Sequence, residues 1–559
     1  MLKSLNDISK LLAAPRNRLR IAVATLFLTS CLVFVGSLPN DFVLDDFPAV
    51  VNHPGAHWPI DARSVCLTNY WGNADNYKAL TIYRPLATLT FALTDKMGGR
   101  DSPGCHRLIN IVMHAGCTIL VFFILLRLLV MPVFGAGFRP SNAFAIAFGT
   151  ALIYGVHPVH SEAVIAVVSR AELMAAFLVL LGTWLLLLKP RRLVVWLPVV
   201  YAAALLSKEN GATLWGIVIA WHFLCLLNHK TAQRQGFRFK DLRVHGGMLV
   251  VLVAYLGLRG LVLPGILAGD LSPADNPMVG GDLITRVLTP MKVFLEYLRL
   301  LISPAELTID YSLNHFQIAS GIFDFQAWSG LLIFAFVIVC AGCSIKKHPG
   351  FSFLVAAFLA TYSVVSNIPF LSTIIMAERL VYLPSAFFLG LLAFPVAIAL
   401  ETSANLRAGR LLAISAAVVF VLFSARTIQR NGDWSDALTL YRAAVETAPQ
   451  SAKSRHLLAN EWMARAKPGK AIEHYRVAAS IDRGNFVLQT NFARALAATG
   501  SFPEALKVVG TALAINPGYA PAHYVRCGIA ERTGHPKDLL DLCHEPDFIS
   551  RLRDRAGHY

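Results

Sequence analysis

The chain has 559 residues, of which 55% are hydrophobic and only 15% charged, with a mean hydropathy of +0.55. A soluble domain carries about a quarter charged residues, so an ordinary soluble protein and a disordered tail are both excluded, and long apolar runs mark a polytopic membrane protein. The net charge of +16 does not imply a nucleic-acid partner, because the basic residues cluster in short segments between apolar runs, where orientation signals belong.

In chain order, the first apolar run, 21–38, follows Lys3, Lys10, Arg16, Arg18 and Arg20. It is long, lacks a small-residue cleavage site and is followed by many further runs, so it reads as an uncleaved first helix with a cytoplasmic N-terminus. Further spans are expected near 108–130, 142–158, 171–188, 193–207, 211–228, 246–263, 327–344, 350–368, 380–400 and 410–427. That makes about eleven helices, each near the ~17–25 residues that a crossing needs. Segment 284–302 is amphipathic and carries Arg286, Lys292, Glu296 and Arg299, so it is expected to lie at the interface.

Charge tests this count. Alternation from a cytoplasmic N-terminus puts Lys189, Arg191, Arg192, Lys230, Arg234, Arg238, Lys240, Arg243, Lys346, Lys347, Arg407 and Arg410 inside. The loop around Asp270, Asp275 and Asp282 has no Lys or Arg and falls outside. An odd number of spans then delivers the C-terminal part to the outer side. Cys340 and Cys343 form a C-x-x-C inside an apolar segment, which reads as two buried thiols rather than a metal or redox site.

After Arg426 the apolar runs stop and a period of 34 residues begins. Ala437, Ala471 and Ala505 keep this step, as do Ala444, Ala478 and Ala512, Tyr441 and Tyr475, Ala459 and Ala493, and Gly500 and Gly534. Small residues at fixed positions let paired helices approach closely, and the pattern resembles tetratricopeptide repeats, about three of them over 433–540. Their concave groove would hold an extended peptide. Cys527 and Cys543 would face an oxidising compartment, where a disulfide can form.

Polar residues that interrupt apolar sequence mark the chemistry, since ionisable groups at a membrane edge are costly. Asp45 and Asp46 follow the first helix: one carboxylate can take a proton from an acceptor hydroxyl while the other binds a cation or positions a partner. The loop 39–84 is long and aromatic (Trp58, Tyr70, Trp71, Tyr77, Tyr83) and closes at Arg84-Pro85, where Arg84 is either a phosphate contact or an interfacial anchor. His157, His160 and Glu162 stand close together, followed by Arg170 and Glu172. Pro158 spoils a regular helical face and no fourth ligand is evident, so hydrogen-bonded structural histidines are favoured over a metal site. Ser207-Lys208-Glu209-Asn210 and Glu378-Arg379 fall at two more outer boundaries. Arg84, Lys208 and Arg379 on one side suit an anionic headgroup, because a phosphate leaving group needs positive charge in a site of low dielectric.

Taken in order, FVLDDFPAVVNHP, YRPLATLTF, HRLINIVMHA, YGVHPVHSEAVIAVVSRAELMAA, LSKENG, LTIDYS and AERLVYLPS resemble the transmembrane and tetratricopeptide-repeat O-mannosyltransferases of the GT-C superfamily. The resemblance covers nearly the whole chain, and the short repeat array favours a bacterial relative. It implies an all-α architecture: a GT-C transmembrane domain over 1–430, then a periplasmic or lumenal repeat domain over 431–559. It also implies an inner-membrane (or endoplasmic-reticulum) enzyme that moves a sugar, mannose or a related hexose, from a polyprenyl phosphate to Ser or Thr hydroxyls of exported proteins, with inversion.

By that resemblance Asp45 is the base and Asp46 its helper, Arg84, Lys208 and Arg379 hold the donor phosphate, and His157, His160, Glu162, Arg170, Glu209, Asp310, Glu378 and Tyr382 orient sugar or acceptor. No cofactor is specified, and a divalent cation is left open. The expected partners are the polyprenyl-phosphate sugar, membrane lipid and an exported acceptor protein engaged by the repeats, with no nucleic acid. Competing readings are a transferase acting on a lipid or polysaccharide, a transporter, and a non-enzymatic repeat scaffold. A transporter would place charges at mid-helix and show repeated halves.

Overall fold

The computed structural model describes residues 15–72, 82–99, 102–130, 138–188, 193–228, 242–263, 273, 275–312, 315–402 and 406–534. Several predicted features lie outside these residues: Lys3 and Lys10, Tyr77, the basic residues 189–192 and 230–240, Asp270, and Cys543. The described residues are helical and contain no strand.

The membrane part comprises α1 (Arg16–Leu32), α2 (Pro85–Thr94), α3 (Pro103–Val130), α4 (Pro140–Gly155), α5 (Arg170–Leu188), α6 (Leu193–Ser207), α7 (Thr213–Leu227), α8 (Arg243–Val262), α9 (Leu283–Ile302), α10 (Phe325–Ser344), α11 (Pro349–Ser363), α12 (Tyr382–Thr402) and α13 (Leu406–Asp433). Among the described residues 8 helices are long and apolar enough to cross a membrane, or 9 if α4 and the short helix after it count as one bent span. The shorter apolar helices α6 and α11 occupy two more of the predicted places. The α9 segment, expected at the interface, is a single helix whose exposed side chains include Leu283 and Ile302.

Sequence sets the helix ends. Pro85, Pro103, Pro140 and Pro349 open α2, α3, α4 and α11, at the one helical position where a missing N–H is harmless. The Asp282 carboxylate accepts the Thr285 amide at 2.8 Å and Asp324 accepts that of Ala327 at 3.0 Å, so both acids cap their helices. Beyond α4 the chain bends by 48°. Pro158 cannot donate there, and His157 is extended and accepts the Val159 amide at 3.3 Å.

The core is formed largely by α3, α5 and α12, which are buried along most of their lengths. α10 and the apolar stretch of α13 lie at the surface, with only 11% and 6% of their apolar stretches buried, whereas Thr427, Arg430 and Asn431 near the end of α13 are buried. Cys340 and Cys343, expected to be buried, are free thiols on this α10 surface, and Cys343 is exposed. The reason is that α10 packs on its neighbours with only one face. Arg107, itself buried, donates to the carbonyls of Asn40, Asp41 and Ile165, which pins the loop after α1 onto α3.

Six helices follow: α14 (Ala437–Thr447), α15 (Ala452–Ala464), α16 (Pro468–Ile481), α17 (Phe486–Ala498), α18 (Phe502–Ile515) and α19 (Ala520–Thr533), of which α15 packs most closely with α16 and α17 with α18, as helix pairs. The periodic Ala444, Ala471, Ala478, Ala505 and Ala512 are each at most 1% exposed, as are Ala459 and Ala493, so the repeating small residues are where helices touch. Gly500 (φ 80°) and Gly534 (φ 64°) turn the chain in left-handed conformation after α17 and α19, a geometry a side chain would oppose. Cys527 is disulfide-bonded.

The end of α13 and the segment leading to the repeat helices are tied to the loop after α1: Asn431 Nδ2 donates to the Val33 carbonyl at 2.7 Å, Asn40 Nδ2 to the Asn431 carbonyl at 2.8 Å, and the Asp41 amide to the Ser435 carbonyl at 2.9 Å. On the other side the Ser451 hydroxyl donates to Asp310 at 2.6 Å.

Candidate active site

The site begins in the turn after α1. The Asp46 amide donates back to the Val43 carbonyl at 3.0 Å, and Leu44 is left-handed at φ 52°. That conformation costs on the order of 1 kcal/mol for a side-chain-bearing residue. It persists because Asp46, 0% exposed, ties the turn down: its carboxylate accepts the Val43 amide at 3.2 Å and the Val168 amide at 2.8 Å. Burial pushes the Asp46 carboxyl up to about 6, against the pull of those two amides and of Arg107. The neighbouring Asp45 is only half-buried and lines a cavity of about 680 Å³.

The three predicted cations line the same cavity, each from a different helix end, and Lys453 is a fourth. Arg84 precedes Pro85 at the start of α2 and donates through Nε (3.2 Å) and Nη2 (3.0 Å) to one oxygen of Glu209, with its guanidinium 4.9 Å from the Tyr70 ring centre. Lys208 follows α6 in extended conformation, and its Nζ is paired with the Glu172 carboxylate, which also accepts from Asn210 Nδ2 at 3.1 Å. Arg379 precedes α12; its guanidinium is paired with Glu162, whose other oxygen accepts the Arg379 amide at 2.9 Å. A guanidinium has five N–H donors, and these contacts use two at Arg84 and one at Arg379. The acids fix the cations without exhausting them.

The turn that presents Lys208 and Glu209 depends on Gly211. A Cβ at Gly211 would stand 2.4 Å from the carbonyl carbon of Ala204 in α6, so only glycine lets the turn fold back on the helix. Beyond the charges the cavity wall is part apolar, with Ile82, Val364, Phe370 and Leu380, and part polar, with Ser169, Asn210, Ser372 and Thr373. Ile368 and Phe370 are about half-exposed at 49% and 55%.

The structure therefore brings Asp45, Arg84, Lys208, Glu209 and Arg379 to one cavity. Glu162 and Asp310 line a smaller adjoining space of about 120 Å³ together with Asp45 and Arg379. Other predicted site residues sit elsewhere. His157 contacts the Leu301 carbonyl at 3.0 Å and His160 the Ser385 hydroxyl at 2.9 Å, both 0% exposed. Tyr382 bonds His114 at 2.8 Å in the same buried cluster. Arg170 is spent on Asn110, Thr90, Thr94 and His106.

Glu378 is fully buried, accepts the Tyr311 hydroxyl at 3.1 Å and lies 4.0 Å from Arg430 of α13, so it faces away from Arg379. Proline explains the histidines: the 3-10 turn Pro158–His160 rolls both rings into the helix packing. Among the described residues no group of three or more His, Cys, Asp or Glu is arranged to hold a metal ion.

Several residues that matter here carry no motif of their own. Asp275 and Lys453 line both spaces, Lys453 from the first residues of α15, and their side chains pair at 2.6 Å. In sequence Asp275 is a loop acid and Lys453 an ordinary repeat-surface lysine.

Fold and site together define a polytopic helical membrane protein with an acid and several cations converging on a part-apolar cavity. No family model matches the chain. It is similar to a protein O-mannosyl-transferase of Caenorhabditis elegans, 28% identical over 441 residues that make up 77% of this chain and 58% of the relative. It is also similar to the protein O-mannosyl-transferase TMTC4 of Mus musculus (27% identity, 80% of this chain, 64% of the relative). A third relative is the protein O-mannosyl-transferase TMTC1 of Homo sapiens (27% identity, 82% of this chain, 54% of the relative). The chain thus spans between about half and two thirds of the length of these relatives. All three are animal proteins and lend the expectation of a bacterial source no support.

Proposed function

We propose that this protein transfers mannose from a polyprenyl-phosphate donor to Ser or Thr hydroxyls of exported proteins, in a cavity facing away from the cytoplasm. The observation that carries the reading is one shared cavity holding the Asp45 carboxylate and the cations Arg84, Lys208 and Arg379. The names of the relatives, protein O-mannosyl-transferases, agree with it.

In this reading the acceptor oxygen attacks the anomeric carbon of the sugar. Asp45 takes the hydroxyl proton, the bond from that carbon to the phosphate oxygen breaks, and its electron pair leaves on the polyprenyl phosphate. Direct displacement inverts the anomeric centre. Arg379 and Lys208 stabilise the growing charge on the departing phosphate, which preorganised cations in a water-poor site do best. Their acid partners hold them in place and prevent their collapse onto Asp45. The apolar wall near Phe370 suits the first isoprene units. Asp46 serves as the anchor of the turn rather than as a second proton acceptor. The repeat helices engage the acceptor protein.

The test is transfer by the purified protein in lipid nanodiscs. Polyprenyl-phosphate mannose and rival sugar donors are supplied with exported Ser/Thr-rich proteins, and the modified residue is identified by mass spectrometry. Mannose on Ser or Thr supports the reading. Transfer only to a lipid or glycan overturns it.

A further inference from the structure

Three spaces meet at one ion pair. The main cavity of about 680 Å³, the adjoining one of about 120 Å³ and a third of about 310 Å³ are all lined by Asp275 and Lys453. The third space belongs to the repeat helices: His456 and Asn460 of α15 line it, with Asp482 and Asn485 from the turn before α17. The groove of the first helix pairs is therefore continuous with the space containing Asp45. The boundary they share is formed by the Asp275–Lys453 salt bridge of 2.6 Å together with Leu457, and the pair's side chains are 37% and 49% exposed, so the ion pair in it is partly solvated.

The groove lining is polar in a particular way. The Asn460 Oδ1 accepts the Tyr475 hydroxyl at 2.6 Å and lies 3.4 Å from Asn491 Nδ2, which fixes the amide and leaves its Nδ2 donor for an incoming carbonyl. Asn491 is in turn held by His456 at 3.1 Å. A side-chain amide set at a groove wall matches the main-chain amides of an extended chain, whatever that chain's side chains are. Anchoring of the site through Ser451 and Asp310, at 2.6 Å, holds the N-terminus of α15 against the membrane part while a substrate passes.

We infer that an extended acceptor polypeptide lies along the groove of α15 and α17, is read through its main chain by Asn460, and crosses the Asp275–Lys453 pair to present its hydroxyl to Asp45. The inference rests on the transfer reading above. Lys453 and Asn460 are positioning residues for the acceptor, and neither takes part in the bond changes.

The test uses the full chain in nanodiscs with polyprenyl-phosphate mannose and two acceptors: an extended Ser-containing peptide of about 20 residues, long enough at ~3.3 Å per residue to run along the groove, and an end-blocked tripeptide with one Ser. Lys453→Asp and Asn460→Ala are each expected to raise KM for the long peptide about tenfold with kcat changed less than about threefold, a loss of uniform binding shared by the ground state and the transition state. The KM ratio of long to short acceptor rises accordingly. Reversing the pair, Asp275→Lys with Lys453→Asp, restores the long-peptide KM.

Equal effects on both acceptors, or none on either, overturn the route. If the wild type mannosylates the tripeptide but not the long peptide, the transfer reading stands and the route falls. If it mannosylates neither, both fall. Should Lys453→Asp not fold, a long peptide carrying a photoreactive benzophenone, bound to the wild-type protein, decides: adducts on α15 between 453 and 460 support the route, and adducts only elsewhere overturn it.

Discussion

Asp45 and Asp46 are neighbours in the chain and face opposite surroundings: Asp46 is sealed in the protein by two backbone amides, from Val43 and Val168, while Asp45 opens onto the cavity that holds Arg84, Lys208 and Arg379. Left-handed Leu44, immediately before them, shapes the turn that carries both residues. From that turn the two identical side chains leave to opposite sides, Asp45 proposed for the chemistry and Asp46 for holding the turn.

Substitution separates these tasks. Asp45→Asn is expected to lower transfer by about 10²–10⁴-fold, the usual contribution of a positioned base, while the melting temperature in nanodiscs stays within a few degrees. Asp46→Asn turns an amide N–H₂ toward a backbone N–H and is expected to lower the melting temperature clearly. Initial rates and thermal unfolding of both variants check this; a stable, fully active Asp45→Asn removes Asp45 from the chemistry.

The raised carboxyl of Asp46 makes stability depend on pH in a definite direction. Its folded value of about 6 lies above the ordinary carboxylate value near 3.8, so the folded state holds the proton more tightly than the unfolded chain. Stability is then greatest below about pH 4 as far as this group is concerned, and falls as pH rises toward 6, by at most about 3 kcal/mol. Melting temperatures measured across pH 4 to 7 for wild type and Asp46→Asn should differ in slope over this window. Parallel curves would show that Asp46 is not the group responsible.

Arg379 and Glu162 form a pair in which the acid is almost fully buried and holds both the side chain and the amide of its partner. Glu162→Gln leaves a cation without its counter-charge and is expected to cost about 3 kcal/mol of stability. Arg379→Met keeps the stem and removes the charge; it should lower kcat by about 10²–10³-fold with a smaller change in donor KM, as for loss of one preorganised charge-stabilising donor. Steady-state kinetics with varied donor separate the two parameters. A purely raised KM would assign Arg379 to donor binding alone.

Gly211 lies outside the cavity lining, yet it shapes the cavity. Gly211→Ala forces a methyl group into the backbone of Ala204 and must push the Glu209–Ala212 turn away from α6. Lys208 and Glu209 move with that turn, so transfer should fall at least about tenfold even where the protein still inserts, a displacement of about 1 Å being enough for such losses. Unchanged kinetics in Gly211→Ala would show that the turn relaxes without moving Lys208.

Much of this arrangement was legible in the chain because it follows from periodicity and from the cost of charge in apolar sequence. The apolar runs became helices at the predicted places, 284–302 became one amphipathic helix, and the small residues of the 34-residue step became helix contacts. Arg84, Lys208 and Arg379 stand out in the sequence as charges at helix ends, and they share a cavity. What sequence could not give was pairing across distance. Lys208 finds Glu172, and Arg379 finds Glu162, through the packing of separate helices, and no local pattern encodes that. For His157 and His160 the proline between them already favours structural histidines over metal ligands in the sequence, and the structure sets both rings in the packing, against the Leu301 carbonyl and the Ser385 hydroxyl, away from the cavity. Lys453 was invisible, since nothing local distinguishes it from other repeat-surface lysines.

The cavity also imposes an order on biosynthesis. Its walls are drawn from Leu44, just after the first apolar helix, and from Leu457, beyond the last one. A ribosome-bound intermediate that has inserted its early helices therefore possesses the carboxylate but lacks an entire side of the chamber. The chamber is completed late, only when the last apolar helix has been made and the first repeat helices have docked beside it.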